Sequence, residues 1–222
     1  MTRQEIVIFG TGDMAQVAAV YIRAHSDLNI VGYTVDESYK SGDTFDGLPL
    51  VPWETLEKVF PPDKVKLLGP LTYQRMNTIR RDRYLEGKAR GYSFASFIHP
   101  DCNIYTDKIG ENCLILERNV IQPFSSIGNN VIIWSGSHVG HHAQVGDHVF
   151  ISTYVGIGGS AVIGDECHLA GRAGVVHGVT VGPRCAILNG VTLTRSLPEG
   201  SVISAELPPV KNFDSSRLYR LL

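Results

Sequence analysis

The sequence predicts an α/β + β-solenoid protein: a small Rossmann-like N-terminal domain followed by a parallel β-helix of hexapeptide repeats. Two patterns carry this expectation. An aliphatic residue returns every six positions from Ile109 to Leu193, and before residue 98 strand-like and helix-like runs alternate, with a glycine-rich turn after the first strand. The expected division is residues 1–95 for the α/β domain, 96–203 for the β-helix and 204–222 for a C-terminal tail.

The sixfold series runs Ile109, Ile115, Ile121, Ile127, Ile133, Val139, Val145, Ile151, Ile157, Ile163, Leu169, Val175, Val181, Ile187, Leu193 without a slip. Neither the 3.6 period of a helix nor the 2 of a strand fits it. It is the period of a β-helix in which each short strand forms one side of a triangular coil, so three hexads make a coil of eighteen residues. Four positions after each aliphatic stands a mostly small residue, from Cys113 to Val191, as expected where the chain turns a corner with the side chain inside. Cys102, Cys113, Cys167 and Cys185 all fall in that inward column, and no C-x-x-C spacing occurs, so they read as reduced core residues and not as a metal cluster. Glycine often follows the aliphatic, as at Gly110, Gly128, Gly140 and Gly146, which suggests a corner needing backbone freedom. The pattern extends back to Ile98 and implies five to six coils.

In the N-terminal part, residues 6–9 and 30–35 read as buried strands, 14–25 as a helix, 53–60 as helix-like, 65–68 as a short strand and 76–90 as a basic amphipathic helix. Between the first strand and helix lies Gly10-Thr11-Gly12-Asp13-Met14-Ala15, a G-x-G-x-x-A turn. Glycines there let backbone N–H groups approach a phosphate at a helix N-terminus. Asp36 follows the second strand, where a carboxylate accepts from a ribose hydroxyl. A plain tight turn is the competing reading, and the unit is too short for a full dinucleotide fold.

The totals narrow the partners. The chain has 222 residues, 43% hydrophobic and 19% charged, with a net charge of −2 and no basic block. That composition supports a packed core and disfavours nucleic acid and anionic membrane as partners. No apolar run approaches the roughly 20 residues of a membrane span. The N-terminus enters a strand directly, so a cytoplasmic location is expected.

Of eight histidines, six lie after residue 130. His141 and His142 stand two and three positions after Val139 and should face outward. Coil neighbours are eighteen residues apart, so Gly159 lies over His141 and would leave an open notch above its imidazole, a shelf for a thioester-bearing pantetheine arm. His148, beneath Glu166, reads as an exposed stacked pair. His138 and His168 read as surface or packing residues, His99 as a cap on the first coil, and His177 is undecided. An imidazole neutral near pH 7 suits acyl transfer to an amine or hydroxyl. No G-x-S-x-G elbow or suitably placed cysteine offers a covalent route.

With Ile8-Phe9-Gly10-Thr11-Gly12 and Asp36, Gly91-Tyr92-Ser93-Phe94 leading to Ile98-His99-Pro100, and the hexapeptide array, the chain resembles the bacterial sugar acetyltransferases of the NeuD/PglD type. The resemblance covers nearly the whole chain. It implies a left-handed β-helix, a homotrimer, and acetylation of a nucleotide-linked sugar from acetyl-CoA. It maps the catalytic base onto His141 and the glycine beside the CoA arm onto Gly159, with Ala173 and Gly190 as further CoA contacts. It implies that Gly10, Gly12, Asp13 and Asp36 hold the nucleotide-sugar. The chain departs from the family where His142 replaces the acidic partner of the base, so that the orienting hydrogen bond comes from elsewhere or the two imidazoles share the catalytic role. It departs again where Trp134, a candidate to stack on a sugar face, replaces an asparagine near the sugar. Asp13-Met14 replace Gly-His, and Phe150 a second histidine. The C-terminal Gly-x-Pro-Ala-Lys/Arg ending is absent, the chain reading Ser204-Ala205-Glu206-Leu207-Pro208-Pro209. The choice between an amine and a hydroxyl acceptor stays open. Two other classes use hexapeptide helices: metal lyases, for which the histidine spacings give no obvious three-ligand set, and non-catalytic assembly modules.

Overall fold

The computed structural model describes residues 3–69 and 73–205. The expected C-terminal tail from 204 and its atypical ending therefore lie, beyond Ala205, outside the described residues.

The chain begins with β1 (Glu5–Phe9), whose Ile6, Val7, Ile8 and Phe9 are all buried, as in a parallel strand covered on both faces. Helix α1 (Asp13–His25) buries Ala15, Ala18, Ala19 and Ile22, one apolar stripe at helical spacing. Its acidic first turn and basic last turn complement the helix dipole. Strands β2 (Asn29–Val35), β3 (Thr44–Phe45), β4 (Leu48–Pro52) and β5 (Lys66–Leu68) complete a sheet of order β3-β4-β2-β1-β5, parallel except for the β3–β4 pair. The helix-like stretch expected at 53–60 is a 3₁₀ helix, Trp53–Lys58, which Pro61 and Pro62 prevent from extending. Helix α2 (Thr78–Ala89) follows.

From Phe97 to Ile203 the chain winds as a left-handed parallel β-helix of three sheets. We call them the covered face (seven strands, Phe97–Ile98 to Val202–Ile203), the middle face (six, Asn103–Ile104 to Thr192–Leu193) and the glycine face (four, Ser126–Ile127 to Thr180–Val181). Ladder partners are eighteen residues apart, for example Ile133 with Ile151 and Val139 with Ile157. The aliphatic column fills the interior, joined by the small column from Cys113 to Val191. Asn119, Ser125 and Ser137 interrupt it but are satisfied: Asn119 Nδ2 donates to the Leu116 carbonyl at 2.7 Å and Ser137 Oγ to that of Ser152 at 3.0 Å. All four cysteines are free, and burial pushes the Cys113 thiol up to about 11 and that of Cys167 to about 12.

The corners correct one expectation. The glycine after each aliphatic is not in the left-handed region. A Cβ on Gly110 would stand 2.7 Å from the Gly128 backbone, and on Gly146 2.9 Å from that of Asp165, so these glycines permit close approach between coils. The left-handed residue comes two positions later, at every hexad from Asn112 to Gly190, and includes Phe124, His142, His148 and Tyr154, at φ of 58–64°. Each bulky residue there costs about 1 kcal/mol, offset by the coil ladder.

The covered face is buried by the α/β unit: Ile8, Ala15, Ala18 and Ile22 share one core with Phe97, Leu114, Ile132 and Phe150. Helix α2 lies along the corner between the glycine and covered faces. There the fully buried Arg80 donates to the Asn130 carbonyl, to that of His148 at 2.8 Å and to Asn77 Oδ1 at 3.0 Å. Asn77 Nδ2 reaches the carbonyls of Glu166 and Cys167, each at 3.1 Å, and Arg81 pairs with Glu166 at 2.8 Å. His148 and Glu166, expected as an exposed pair, are thus buried at 8% and 7% exposure under this helix. The hexad pattern marks both as outward, but outward on this corner means facing α2. We expect Arg80→Met, which keeps the volume and removes the donors, to cost about 3 kcal/mol because two buried carbonyls lose a charged partner. Urea denaturation with an unchanged midpoint would show that the latch contributes nothing.

His168 packs as expected, stacked on Phe150 at 5.1 Å between ring centroids, and His99 accepts the Asp101 N–H at 3.1 Å in the first turn. Among the described residues no helix is long and apolar enough to cross a membrane.

Candidate active site

Two features stand out, one on the β-helix and one in the α/β unit. The first is at the corner joining the middle and glycine faces. This corner turns through Pro123-Phe124, His141-His142, Gly159-Ser160 and His177-Gly178 in successive coils. Cross-coil hydrogen bonds hold the stack: the His142 N–H donates to the Pro123 carbonyl at 3.2 Å, Ser160 N–H to that of His141 at 2.8 Å, and Gly178 N–H to that of Gly159 at 2.9 Å.

Both His141 and His142 are exposed, as the facing argument expects. Their Nδ1 atoms lie 3.1 Å apart, so one imidazole donates and the other accepts. The His141 backbone N–H is fixed by Gln122 Oε1 at 2.8 Å. Beneath, the His142 ring rests on Phe124, centroids 4.8 Å apart. Above, the notch at Gly159 exists but is not empty. A Cβ there would come within 2.8 Å of both Cε1 and Nε2 of His141 and within 3.0 Å of His177 Nδ1. The missing side chain is what lets the His141 imidazole lie against the backbone of the next coil.

The second feature is a cavity of about 280 Å³ at the carboxyl ends of β1 and β2, lined by Phe9, Gly10, Thr11, Gly12, Val35, Asp36, Tyr39, Gln74, Ile79 and Arg83. It sits beside the inner strand β1, which has β2 on one side and β5 on the other, where open α/β sheets bind ligands. Gly10 has φ +130°, open only to glycine, and Gly12 caps α1 with no side chain over the helix N-terminus. Asp36 is not free: Arg83 grips both its oxygens, at 2.9 and 2.8 Å, and extends its third arm to Glu86. Arg83 was not singled out by motif, because its role follows from the fold of α2 over the turn. Asp13 is exposed in the first turn of α1 and is not among the cavity-lining residues.

Three expected site residues lie elsewhere. Ala173 is 1% exposed in the interior of the β-helix, its N–H donates to the Ala170 carbonyl within the corner and its carbonyl accepts from the Gly156 N–H of the preceding coil, so it presents nothing to a ligand. Gly190 lies at a different corner from Gly159, between the covered and middle faces, lining a groove with Thr153, Tyr154, Gly171, Arg172 and Asn189. Trp134 packs against the core shared with the α/β unit, not beside the imidazoles, and its Nε1 is buried without a partner. Among the described residues no group of three or more His, Cys, Asp or Glu could hold a metal ion.

Comparison with known proteins agrees with this architecture. Residues 108–141 and 124–159 match the bacterial transferase hexapeptide family (six repeats). No curated protein matches the chain by sequence. Among solved structures, the acetyltransferase domain of PglB from Neisseria gonorrhoeae FA1090 is similar at 21% identity and a TM-score of 0.78, covering 90% of this chain and 95% of that one. A mutant of perosamine N-acetyltransferase from Caulobacter crescentus, in complex with CoA and GDP-perosamine, is similar at 22% identity and a TM-score of 0.74, covering 89% and 92%. WeeI from Acinetobacter baumannii AYE follows at 18% identity and a TM-score of 0.51, covering 91% and 97%. These likenesses establish the fold: a Rossmann-like unit joined to a left-handed β-helix of hexapeptide repeats.

Proposed function

We propose that the protein is an acetyl-CoA-dependent acetyltransferase that acetylates the amino group of a nucleotide-linked amino-deoxy sugar for surface polysaccharide or glycan synthesis. The observation that carries this reading is the His141 imidazole lying against the side-chain-free Gly159, with a nucleotide-sized cavity in the same chain. The structures solved with CoA and GDP-perosamine, and with acetyl coenzyme A, share the fold and support the substrate class.

The histidine pair sets the chemistry. When His141 Nδ1–H donates to His142 Nδ1, the lone pair of His141 is left on Nε2, at the Gly159 notch. His142 then fixes the tautomer of the base, the work an acidic residue would otherwise do. The sugar amine attacks the thioester carbonyl as His141 Nε2 takes its proton. The tetrahedral intermediate then collapses, the C–S bond breaks, and the CoA thiolate receives that proton.

The triangular cross-section bears on assembly. The α/β unit sits on the covered face, and His141 occupies the corner opposite that face, so the imidazole lies on the side of the coil away from the unit that carries the cavity. We infer a homotrimer in which the acceptor held by one subunit meets the imidazole of the next, with Gly190 and its groove on the opposite wall of the CoA site. Four free cysteines, three of them buried, suit a reducing cytoplasm. The test is complementation. The Gly12 Cβ position has nothing within 4 Å, so Gly12→Val should fold and project into the cavity, raising the acceptor KM and leaving CoA affinity unchanged. Gly12→Val and His141→Ala chains, each poorly active alone, should regain activity when refolded together. No gain on mixing would mean that base and acceptor site belong to one chain.

A further inference from the structure

One group near the notch has no part in the mechanism so far. His177 stands a coil above Gly159, and its Nδ1 approaches the Gly159 Cβ position to 3.0 Å, against 2.8 Å for Nε2 of His141. The two rings thus flank one glycine from above and below, with centroids 6.0 Å apart. His177 is exposed, so its ring opens to the space outside the corner. His142 engages Nδ1 of His141, which leaves Nε2 of His141 and Nδ1 of His177 as the two ring nitrogens converging on the shelf.

We propose that His177 is a further catalytic residue, whose Nδ1–H donates to the thioester carbonyl oxygen as it becomes an oxyanion. The proposal rests on the acetyl-transfer reading above. An acyl-transfer site needs a base on the nucleophile's proton and a donor on the oxygen, each about 3 Å from the reacting group and on different sides of it. Nε2 of His141 supplies the first and Nδ1 of His177 the second. As the amine nitrogen bonds to the carbonyl carbon, the π pair moves to oxygen, where the His177 N–H meets it. When the C=O bond re-forms, the C–S pair leaves with the thiolate, and His177 has donated a hydrogen bond without losing its proton. A neutral imidazole carries one N–H, and a tautomer with it on Nδ1 serves here.

Steady-state kinetics with acetyl-CoA and the amino-sugar acceptor test this on the full chain, beside His141→Ala. His177→Ala should lower kcat by about 10²-fold, the effect of removing one oxyanion donor, with KM for acetyl-CoA changed much less. His177→Asn places an amide N–H where Nδ1 stood and should recover more of kcat than His177→Gln, whose amide reaches the Nε2 position. Near-normal kcat in His177→Ala, a loss confined to KM for acetyl-CoA, or better rescue by Gln than by Asn each overturn the assignment. If His177→Ala is unimpaired while His141→Ala is inactive, only the oxyanion role fails; if His141→Ala is also unimpaired, the acetyl-transfer mechanism itself fails.

Discussion

Replacing His141 by alanine should lower kcat by about 10²–10⁴-fold, the usual cost of removing a positioned general base, and leave both substrate affinities nearly intact. The fold should survive, because the side chain is exposed and the coil is held by backbone bonds such as Ser160 N–H to the His141 carbonyl. The neighbouring position separates roles. His142→Ala removes the acceptor at 3.1 Å from His141 Nδ1 and the ring resting on Phe124 but leaves the base itself in place, so turnover should fall less. His142→Glu supplies a different acceptor to the same Nδ1–H and should stay active. If His141→Ala turns over normally and His142→Ala is dead, the base is the other imidazole, and the stacking of His141 against Gly159 has no catalytic meaning.

Filling the notch should be nearly as damaging. Gly159 is not in the left-handed region, so a side chain there brings no backbone strain, yet its Cβ would stand 2.8 Å from the His141 ring. Gly159→Leu must therefore push the imidazole out of register and cover the shelf at once. We expect kcat to fall about 10²-fold or more, since a displacement of about 1 Å at a reacting group costs that much, and CoA affinity to weaken as well. Calorimetry with CoA and single-turnover rates separate the two effects. An active Gly159→Leu with normal CoA binding would show that the thioester arm passes elsewhere.

The β-helix was legible because its hexad is unbroken from Ile109 to Leu193, and the eighteen-residue coil then placed Gly159 over His141 correctly. A period, however, says only which side chains leave the coil and nothing about what covers them. The hexad therefore gives His148 and Glu166 as exposed although α2 lies on them, and Trp134, a candidate to stack on a sugar face, packs against the α/β core. The same limit hid Arg83: the turn Gly10-Thr11-Gly12 and Asp36 are visible in the sequence, but the arginine that grips Asp36 comes from a helix forty-seven residues later. Ala173 fails for the opposite reason, since its place in the small inward column already puts it inside the coil. The glycines after the aliphatics were located correctly for the wrong cause, close packing between coils being a property of neighbours eighteen residues away.

The most direct measurement is mass spectrometry of a panel of nucleotide-linked amino sugars incubated with acetyl-CoA and the purified protein. At least one sugar should gain a single acetyl group on its amine while free CoA thiol appears in equal amount, and the same sugar should stay unmodified with the His141→Ala protein. Acetyl transfer that persists undiminished in His141→Ala, or no acetylated product from any amino sugar in the panel, would contradict the account.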